Sequence, residues 1–301
     1  MKFYIYANSY NDNSGGSIVL HRLCHIINKH TNHNAYLVKM DPLAYGAFSL
    51  KKILSKIKWE LKNKKAYKIN DVWDTPVWNS EDFPDDCIVI YPEIINGNPL
   101  KINNVVRWFL HQPGFHTKYI KYGKGELYYK FNSAIDDFTL KDSKLSSHEL
   151  KVIYYPIDVY NDVNQTSITR DIECSYLIRK GKNKKFVHSR NAVQIDGLSH
   201  HETASILKRT KIFISYDDYT AYSIFAIMCG CKSYVVPSED KSLISWYPNE
   251  SDRFGISYGF SAEQEIWAEK TKHKVLEHIN QEHQKSILNV KICTEEMIDF
   301  F

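Results

Sequence analysis

The sequence predicts an α/β protein made of two parallel-sheet halves, and three observations predict it. The chain opens as strand, Gly-containing turn, helix, strand. The alternation continues through short apolar runs bounded by turn residues, and a second series of the same kind begins near Cys174. Short buried runs separated by helices are the pattern of parallel strands joined by crossovers. A chain of 301 residues has room for two domains of about 150 residues each. With 43% hydrophobic and 14% aromatic residues it can fill two cores, which excludes wholesale disorder.

The elements follow in order. Phe3 to Ala7 reads as a strand, Asn13-Ser14-Gly15-Gly16-Ser17 as a turn, and Ile18 to Asn28 as a helix. Val19, Leu20, Leu23, Ile26 and Ile27 fall at helical spacing in it. Ala35 to Met40, Cys87 to Tyr91 and Val105 to Leu110 read as strands. From about Gly123 to Lys151 the chain turns polar and irregular, and Val152 to Pro156 leads to another polar stretch, Asn161 to Thr169. The second series runs through strands Cys174 to Ile178, Ala192 to Ile195, Lys211 to Ser215 and Ser233 to Pro237. Helices are expected from His201 to Arg209, from Ala221 to Met228, and over most of the chain beyond Ala262. The halves join near residue 155, giving domains 1–155 and 156–301.

Charge and cysteine content narrow the function. The 39 basic and 35 acidic residues leave a net of +4, too little to indicate nucleic acid, and no nucleic-acid-binding module is visible. The six cysteines form no C-x-x-C pair and no zinc spacing, so reduced thiols packing the cores of a cytoplasmic protein are expected. The opening segment lacks a signal-peptide pattern, and no run approaches the roughly 18 apolar residues of a membrane span. One segment is strongly basic: Lys51 to Lys68 carries eight lysines against Glu60, with Ile53, Leu54, Ile57 and Leu61 at helical spacing. It reads either as a contact with the inner face of an anionic membrane or as a surface helix packed on its own domain.

The segment from Ile212 to Cys231 carries the most chemistry. It is a strand, an acidic and hydroxyl-rich turn with Asp217, Asp218, Tyr219 and Thr220, then a helix with Ser223 in its first turn. A helix start with free N–H groups and nearby hydroxyls suits a diphosphate; an ordinary βα unit with an N-cap at Thr220 explains the same residues. Tyr176 to Lys185 is a strand running into a basic loop with Arg179, Lys180 and Lys182, and both cation types suit phosphate. Asp196 and Gly197 precede Ser199 and Glu202, which form a capping-box pattern.

These blocks resemble the donor site of GT-B glycosyltransferases, where a strand gives way to an acidic residue and a helix closing in a small-residue/Cys-Gly turn. The blocks Tyr91 to Leu100 and Val106 to His116 are similar to bacterial polysaccharide and lipopolysaccharide glycosyltransferases. The resemblance implies two doubly wound Rossmann-like domains facing a cleft. It implies transfer of a sugar from a nucleotide-sugar donor to a glycan acceptor, lipid-linked or at the cell surface, without a metal or other cofactor. By the same resemblance Gly15, Gly16, Arg179, Lys180, Lys182, Asp196, Gly197, Asp217, Tyr219, Thr220 and Ser223 bind the donor. Glu93 and His111 are the candidate bases for an inverting reaction, and Arg107 is placed on the acceptor side or in a buried ion pair. Many retaining members carry a Glu-x7-Glu pair; aligned on Cys229-Gly230, its positions fall on Asp217 and Phe225, so the first carboxylate is shortened and the second lost. That departure leaves open a non-catalytic nucleotide-sugar-binding subunit on the same fold, beside a nucleotide-sugar epimerase or another transferase of a phosphate-linked group.

Overall fold

The computed structural model describes residues 1–41, 67–140, 142–163, 169–239 and 241–301. Most of the Lys51 to Lys68 segment lies outside them. The chain divides into two compact units: Met1–Tyr154 together with His283–Phe301, and Tyr155–Glu282.

The first unit holds a parallel sheet of six strands in the order β2-β1-β3-β4-β5-β6. These are β1 (Lys2–Ala7), β2 (Asn34–Lys39), β3 (Cys87–Pro92), β4 (Asn104–Phe109), β5 (Leu127–Lys130) and β6 (Lys144–Glu149). Helix α1 (Gly15–His30) starts at the N-cap Ser14, whose side chain accepts from the Ser17 amide. Period-two alternation sorts β1 between two cores. Phe3, Ile5 and Ala7 join Leu20, Leu23 and Ile27 of α1 on one face, while Tyr4 and Tyr6 pack with Val89, Tyr91 and Ile95 on the other.

The second unit holds a parallel sheet of five strands in the order β11-β10-β9-β7-β8. Its strands are β7 (Ile172–Leu177), β8 (Val193–Gln194), β9 (Thr210–Ser215), β10 (Lys232–Val235) and β11 (Ile256–Tyr258). Its helices are α2 (His200–Arg209), α3 (Tyr222–Met228), α4 (Leu243–Trp246) and α5 (Ala262–Thr271), followed by α6 (Val275–Phe300). The Ser199–Glu202 capping box is present at the start of α2.

Two parallel α/β units, the layout the GT-B resemblance implies, are therefore what the chain forms. Three local expectations need correction. The last helix does not stay in the second unit. Val290, Cys293 and Met297 bury in the first core, and Glu296 accepts from Tyr129 at 2.8 Å and Ser146 at 2.5 Å. The stretch from about Gly123 to Lys151, expected to be irregular, contains β5 and β6. Strand β11 was not foreseen either; it is three residues of Ile256, Ser257 and Tyr258.

Each sheet contains one point where the strand order reverses. In the first the chain goes from β1 to β2 on one side and then to β3 on the other; in the second it goes from β7 to β8 and then to β9. Ligands of open α/β sheets bind outside the carboxyl ends of the strands at such a switch point.

Candidate functional site

At the first switch point lies a cavity of about 440 Å³, lined by Asn8, Ser14, Gly16, Ser17, Leu20, Met40, Pro92, Glu93, Ile94, Leu110, His111 and His116. The loop after β1 is fixed to the start of α1: Ser17 Oγ accepts from the Asn11 amide at 3.0 Å and donates to Ser9 O at 3.2 Å. Buried His21 holds the same loop through Nε2 and Asn8 O at 2.8 Å, and burial pushes its pKa down. A Cβ on Gly15 would meet nothing within 4 Å, and on Gly16 only Leu110 at 3.7 Å, so these glycines are not forced by crowding within the protein.

Glu93 follows β3 and is 4% exposed. Its amide donates to Trp108 O at 3.1 Å, and its Oε2 accepts from the Leu110 amide at 3.0 Å. Burial raises its pKa to about 7, with the amide hydrogen bonds opposing the shift. A buried carboxyl titrating near neutrality in a cavity suits a proton acceptor. His111, after β4, lines the same cavity. Its Nδ1 accepts from the Gln112 amide at 2.7 Å. A backbone amide only donates, so Nδ1 carries the lone pair and the neutral ring holds its proton on Nε2. Facing a ligand, His111 is a hydrogen-bond donor, which leaves Glu93 as the proton acceptor of the two candidate bases.

Arg107 takes the second of its two expected places. It is fully buried on β4, with Nε 2.8 Å from Glu126 Oε2 and Nη2 2.9 Å from Oε1. It also donates to Ile95 O and Gly97 O, and Tyr91 and Tyr122 lie 5.1 and 4.4 Å from the guanidinium carbon. With its donors engaged inside the fold it has nothing to offer an acceptor. Its role is to brace the loop that carries Glu93.

At the second switch point, the loops after β7, β8 and β9 gather most of the sequence-predicted donor residues. Leu177 pairs with Ser215, and Tyr176 with Gln194, so the three loops leave the same edge. Arg179, Lys180 and Lys182 are exposed there. Arg179 has φ +39, a left-handed conformation held in place by Asp196. Asp196 accepts from the Ile178 amide at 2.9 Å and the Arg179 amide at 2.8 Å. Both carboxylate oxygens of Asp196 thus accept from this backbone. Gly197 has φ +79, a conformation glycine permits.

Asp217 is 4% exposed, and its Oδ1 accepts from the Tyr219 amide at 3.3 Å, shaping the turn after β9. Tyr219 is 46% exposed, with Lys241 Nζ 4.5 Å from its ring centre. Thr220 is not the N-cap of α3; Ala221 holds that place, and Thr220 Oγ1 accepts from the Tyr222 amide at 3.3 Å. Ser223 is 2% exposed and points inward, which takes it off the ligand face. Phe225 lies in the core, stacked on Tyr160 at 4.2 Å, so no polar group stands at the second position of the Glu-x7-Glu pattern. Lys184 of the basic loop pairs with Asp218 at 2.6 Å and donates to Val236 O at 2.6 Å.

The residues that sequence reasoning missed are those whose partners lie far along the chain. Burial alone would raise the Asp218 pKa, but Lys184, Ser238 and Lys241 outweigh it and hold the carboxyl below its usual range. Gly181 lies against the backbone of Tyr216: a Cβ there would stand 2.1 Å from Tyr216 O. Its place in the basic loop was the available signal.

Among the described residues no group of three or more His, Cys, Asp or Glu is placed to hold a metal. No described helix is long and apolar enough to cross a membrane.

The sequence matches no family model and no curated protein. Several solved structures are similar along nearly the whole chain. Sucrose-phosphate synthase from Thermosynechococcus elongatus is 8% identical with a TM-score of 0.47, over 99% of this chain and 99% of that one. Spinosyn forosaminyltransferase SpnP is 10% identical with a TM-score of 0.38, over 98% and 99%. UDP-GlcNAc 2-epimerase from Methanocaldococcus jannaschii is 11% identical with a TM-score of 0.37, over 90% and 92%. At these distances they lend this chain no activity, and what its two switch points do is read from its own residues.

Proposed function

We propose that the protein is a glycosyltransferase that moves a sugar from a nucleotide-sugar donor to a glycan acceptor. Glu93 carries this reading: a buried carboxyl with a pKa of about 7, at the carboxyl edge of a parallel sheet, in a cavity of about 440 Å³. The first unit takes the acceptor, whose hydroxyl gives its proton to Glu93 as its oxygen bonds to the anomeric carbon of the donor sugar. The bond from that carbon to the diphosphate breaks, and the nucleoside diphosphate leaves. His111 donates from Nε2 to an oxygen of the bound ligand. The second unit takes the donor. Arg179 and Lys180 meet the growing negative charge of the leaving diphosphate, helped by Lys182 and the Thr220 hydroxyl, so the reaction needs no metal. Asp217 and Gly197 shape the turns around it, Tyr219 offers an exposed ring, and the Gly15 and Gly16 amides offer backbone donors at the start of α1. A lipid-linked acceptor at the inner membrane surface fits the basic segment Lys51 to Lys68.

Phe225 favours a second reading. With an apolar core residue at the second position of the Glu-x7-Glu pattern, the chain is alternatively a subunit that binds a nucleotide sugar without turning it over.

A thermal-shift screen against UDP, GDP, CMP and dTDP, with ADP and single-stranded RNA as controls, tests the donor site. One sugar-donor nucleotide should raise the Tm selectively, and Lys180→Ala should abolish the rise while leaving the ligand-free Tm unchanged. Asp217→Ala should abolish it too, at a lower Tm, because Asp217 also holds the Tyr219 amide. No shift with any nucleotide sinks the donor assignment. A shift without turnover of the matching nucleotide sugar selects the non-catalytic reading.

A further inference from the structure

The loop after β4 brings two rings, His111 and His116, to the lining of the cavity that holds Glu93, and a third, Phe115, packs against both beside it. His111 and Phe115 are stacked, with centroids 4.2 Å apart and an interplanar angle of 27°. His116 stands 5.0 Å from each of them, edge-on to Phe115. Phe115 is 54% exposed. An aromatic side chain this open forgoes the burial that would otherwise stabilise it.

The loop is built to hold Phe115 there. The Phe115 amide donates to Gln112 O at 3.1 Å, and the Lys118 amide to Gly114 O at 2.8 Å. Gln112 Oε1 accepts from the Asp136 amide at 2.9 Å. Gly114 has φ +81, and a Cβ there would come within 3.3 Å of Ile120, so the turn that presents Phe115 needs a glycine.

The cavity lining indicates what the rings meet. Among the described lining residues there is no Lys or Arg, and Glu93 is the only carboxyl. His116 is pushed toward its neutral form, by burial first and then by His111 and Lys118. Among the described lining residues a phosphate would find no cation and would face the Glu93 carboxylate; Lys118, with Nζ 5.4 Å from the Phe115 ring centre, stands outside that lining. Asn8, Ser14 and Ser17 offer hydrogen bonds, while Leu20, Met40, Pro92, Ile94 and Leu110 offer apolar walls. That mixture suits a neutral ring with hydroxyls on its rim and C–H bonds on its face. Aromatic rings carry a negative face, which attracts the slightly positive C–H groups of a pyranose.

We propose that the His111–Phe115–His116 wall is the acceptor subsite, taking an uncharged pyranose by its C–H face and setting one of its hydroxyls toward Glu93. Phe115 is the specificity-determining residue of this subsite. The wall selects against acceptors whose reacting ring carries a carboxylate or phosphate. This rests on the glycosyltransferase reading and adds the acceptor class to it.

Saturation-transfer NMR with methyl glycosides of glucose, galactose, mannose and N-acetylglucosamine tests it, using the full-length protein with its best nucleotide present. The wild type should give enhancement at the ring C–H protons of at least one glycoside, and none with methyl glucuronide. Phe115→Ala should lose most of that signal, at least fivefold, and Phe115→Trp should keep it. The nucleotide-induced rise in Tm should be unchanged in both variants. No glycoside signal from a wild type that binds nucleotide overturns the subsite and leaves the donor site standing. A signal that survives Phe115→Ala, or equal enhancement of the glucuronide, overturns it as well. If nucleotide binding also fails, the glycosyltransferase reading itself falls.

Discussion

The two switch points handle charge in opposite ways. In the first unit Glu93 is buried with no cation among the described lining residues of its cavity, and burial raises its pKa to about 7. In the second unit the carboxylates are consumed by the fold. Asp196 holds two backbone amides, and Asp218 is held low by Lys184, Ser238 and Lys241, while Arg179, Lys180 and Lys182 stay exposed. One edge keeps a carboxyl available for a proton, and the other neutralises its acids and leaves cations available for an anion. An acceptor hydroxyl that must lose a proton suits the first, and a departing diphosphate suits the second.

Glu93→Gln strikes at the centre of this contrast. Turnover should fall by about 10²- to 10⁴-fold, with nucleotide affinity unchanged. In the wild type, turnover should rise with pH through about 7 as Glu93 loses its proton, then level off. Stability carries the opposite sign. The Glu93 pKa is raised from 4.5 to about 7 on folding, so its contribution is fully present below pH 4.5 and is lost as pH rises through about 7. Glu93→Gln should therefore be the more stable protein above pH 7, by on the order of 2–3 kcal/mol. A flat wild-type pH–rate profile between pH 5 and 9, or full activity in the Gln variant, removes Glu93 as the base.

Arg107→Met should cost about 3–5 kcal/mol in urea unfolding, since it strands the Glu126 carboxylate inside the first unit. Arg107→Met with Glu126→Leu should recover most of that loss, because an apolar pair of similar volume leaves no buried charge. The single variant should also lose turnover at temperatures where it remains folded, through slack in the Ile95–Gly97 loop next to Glu93. A single variant as stable as the wild type would show that the pair does not brace the loop.

How much of this was legible in the sequence depends on how local each signal is. Strands β1, β3, β4 and β9 are short apolar runs, and their burial on both faces is why the residue pattern alone located them. β6 is an edge strand, Lys144–Glu149, with Ser146 its one buried residue, so it presents no apolar run to read. The helix at 275–300 is periodic, but nothing in its spacing says that its second half belongs to the first unit's core. Glu93 was readable as a polar residue following a buried strand. The tautomer of His111 depends on the amide next to it, and the Arg107–Glu126 pair joins β4 to the residue just before β5; neither leaves a mark in composition or periodicity. The basic loop was legible as charge, whereas Lys184 turning inward to Asp218 is a tertiary contact that charge alone does not predict.

The smallest expected effect separates two roles for one residue. If Asp196 serves the donor site by holding the Ile178 and Arg179 amides, Asp196→Ala frees both amides and relaxes the left-handed Arg179. It should then cost about 1–3 kcal/mol of stability. Every nucleotide that the wild type binds should weaken by a similar factor, because the guanidinium that meets the phosphates is no longer held. If Asp196 instead read a base, the same change would alter the ranking among UDP, GDP, CMP and dTDP and leave stability near the wild-type value. Its carboxylate oxygens are 2.8 and 2.9 Å from backbone nitrogens, and Gln194 Nε2 adds a third donor at 3.1 Å. A base would have to displace one of these, exposing a donor that the fold already satisfies. A uniform loss of nucleotide affinity is therefore the expected outcome, and a changed ranking at full stability would return Asp196 to base recognition.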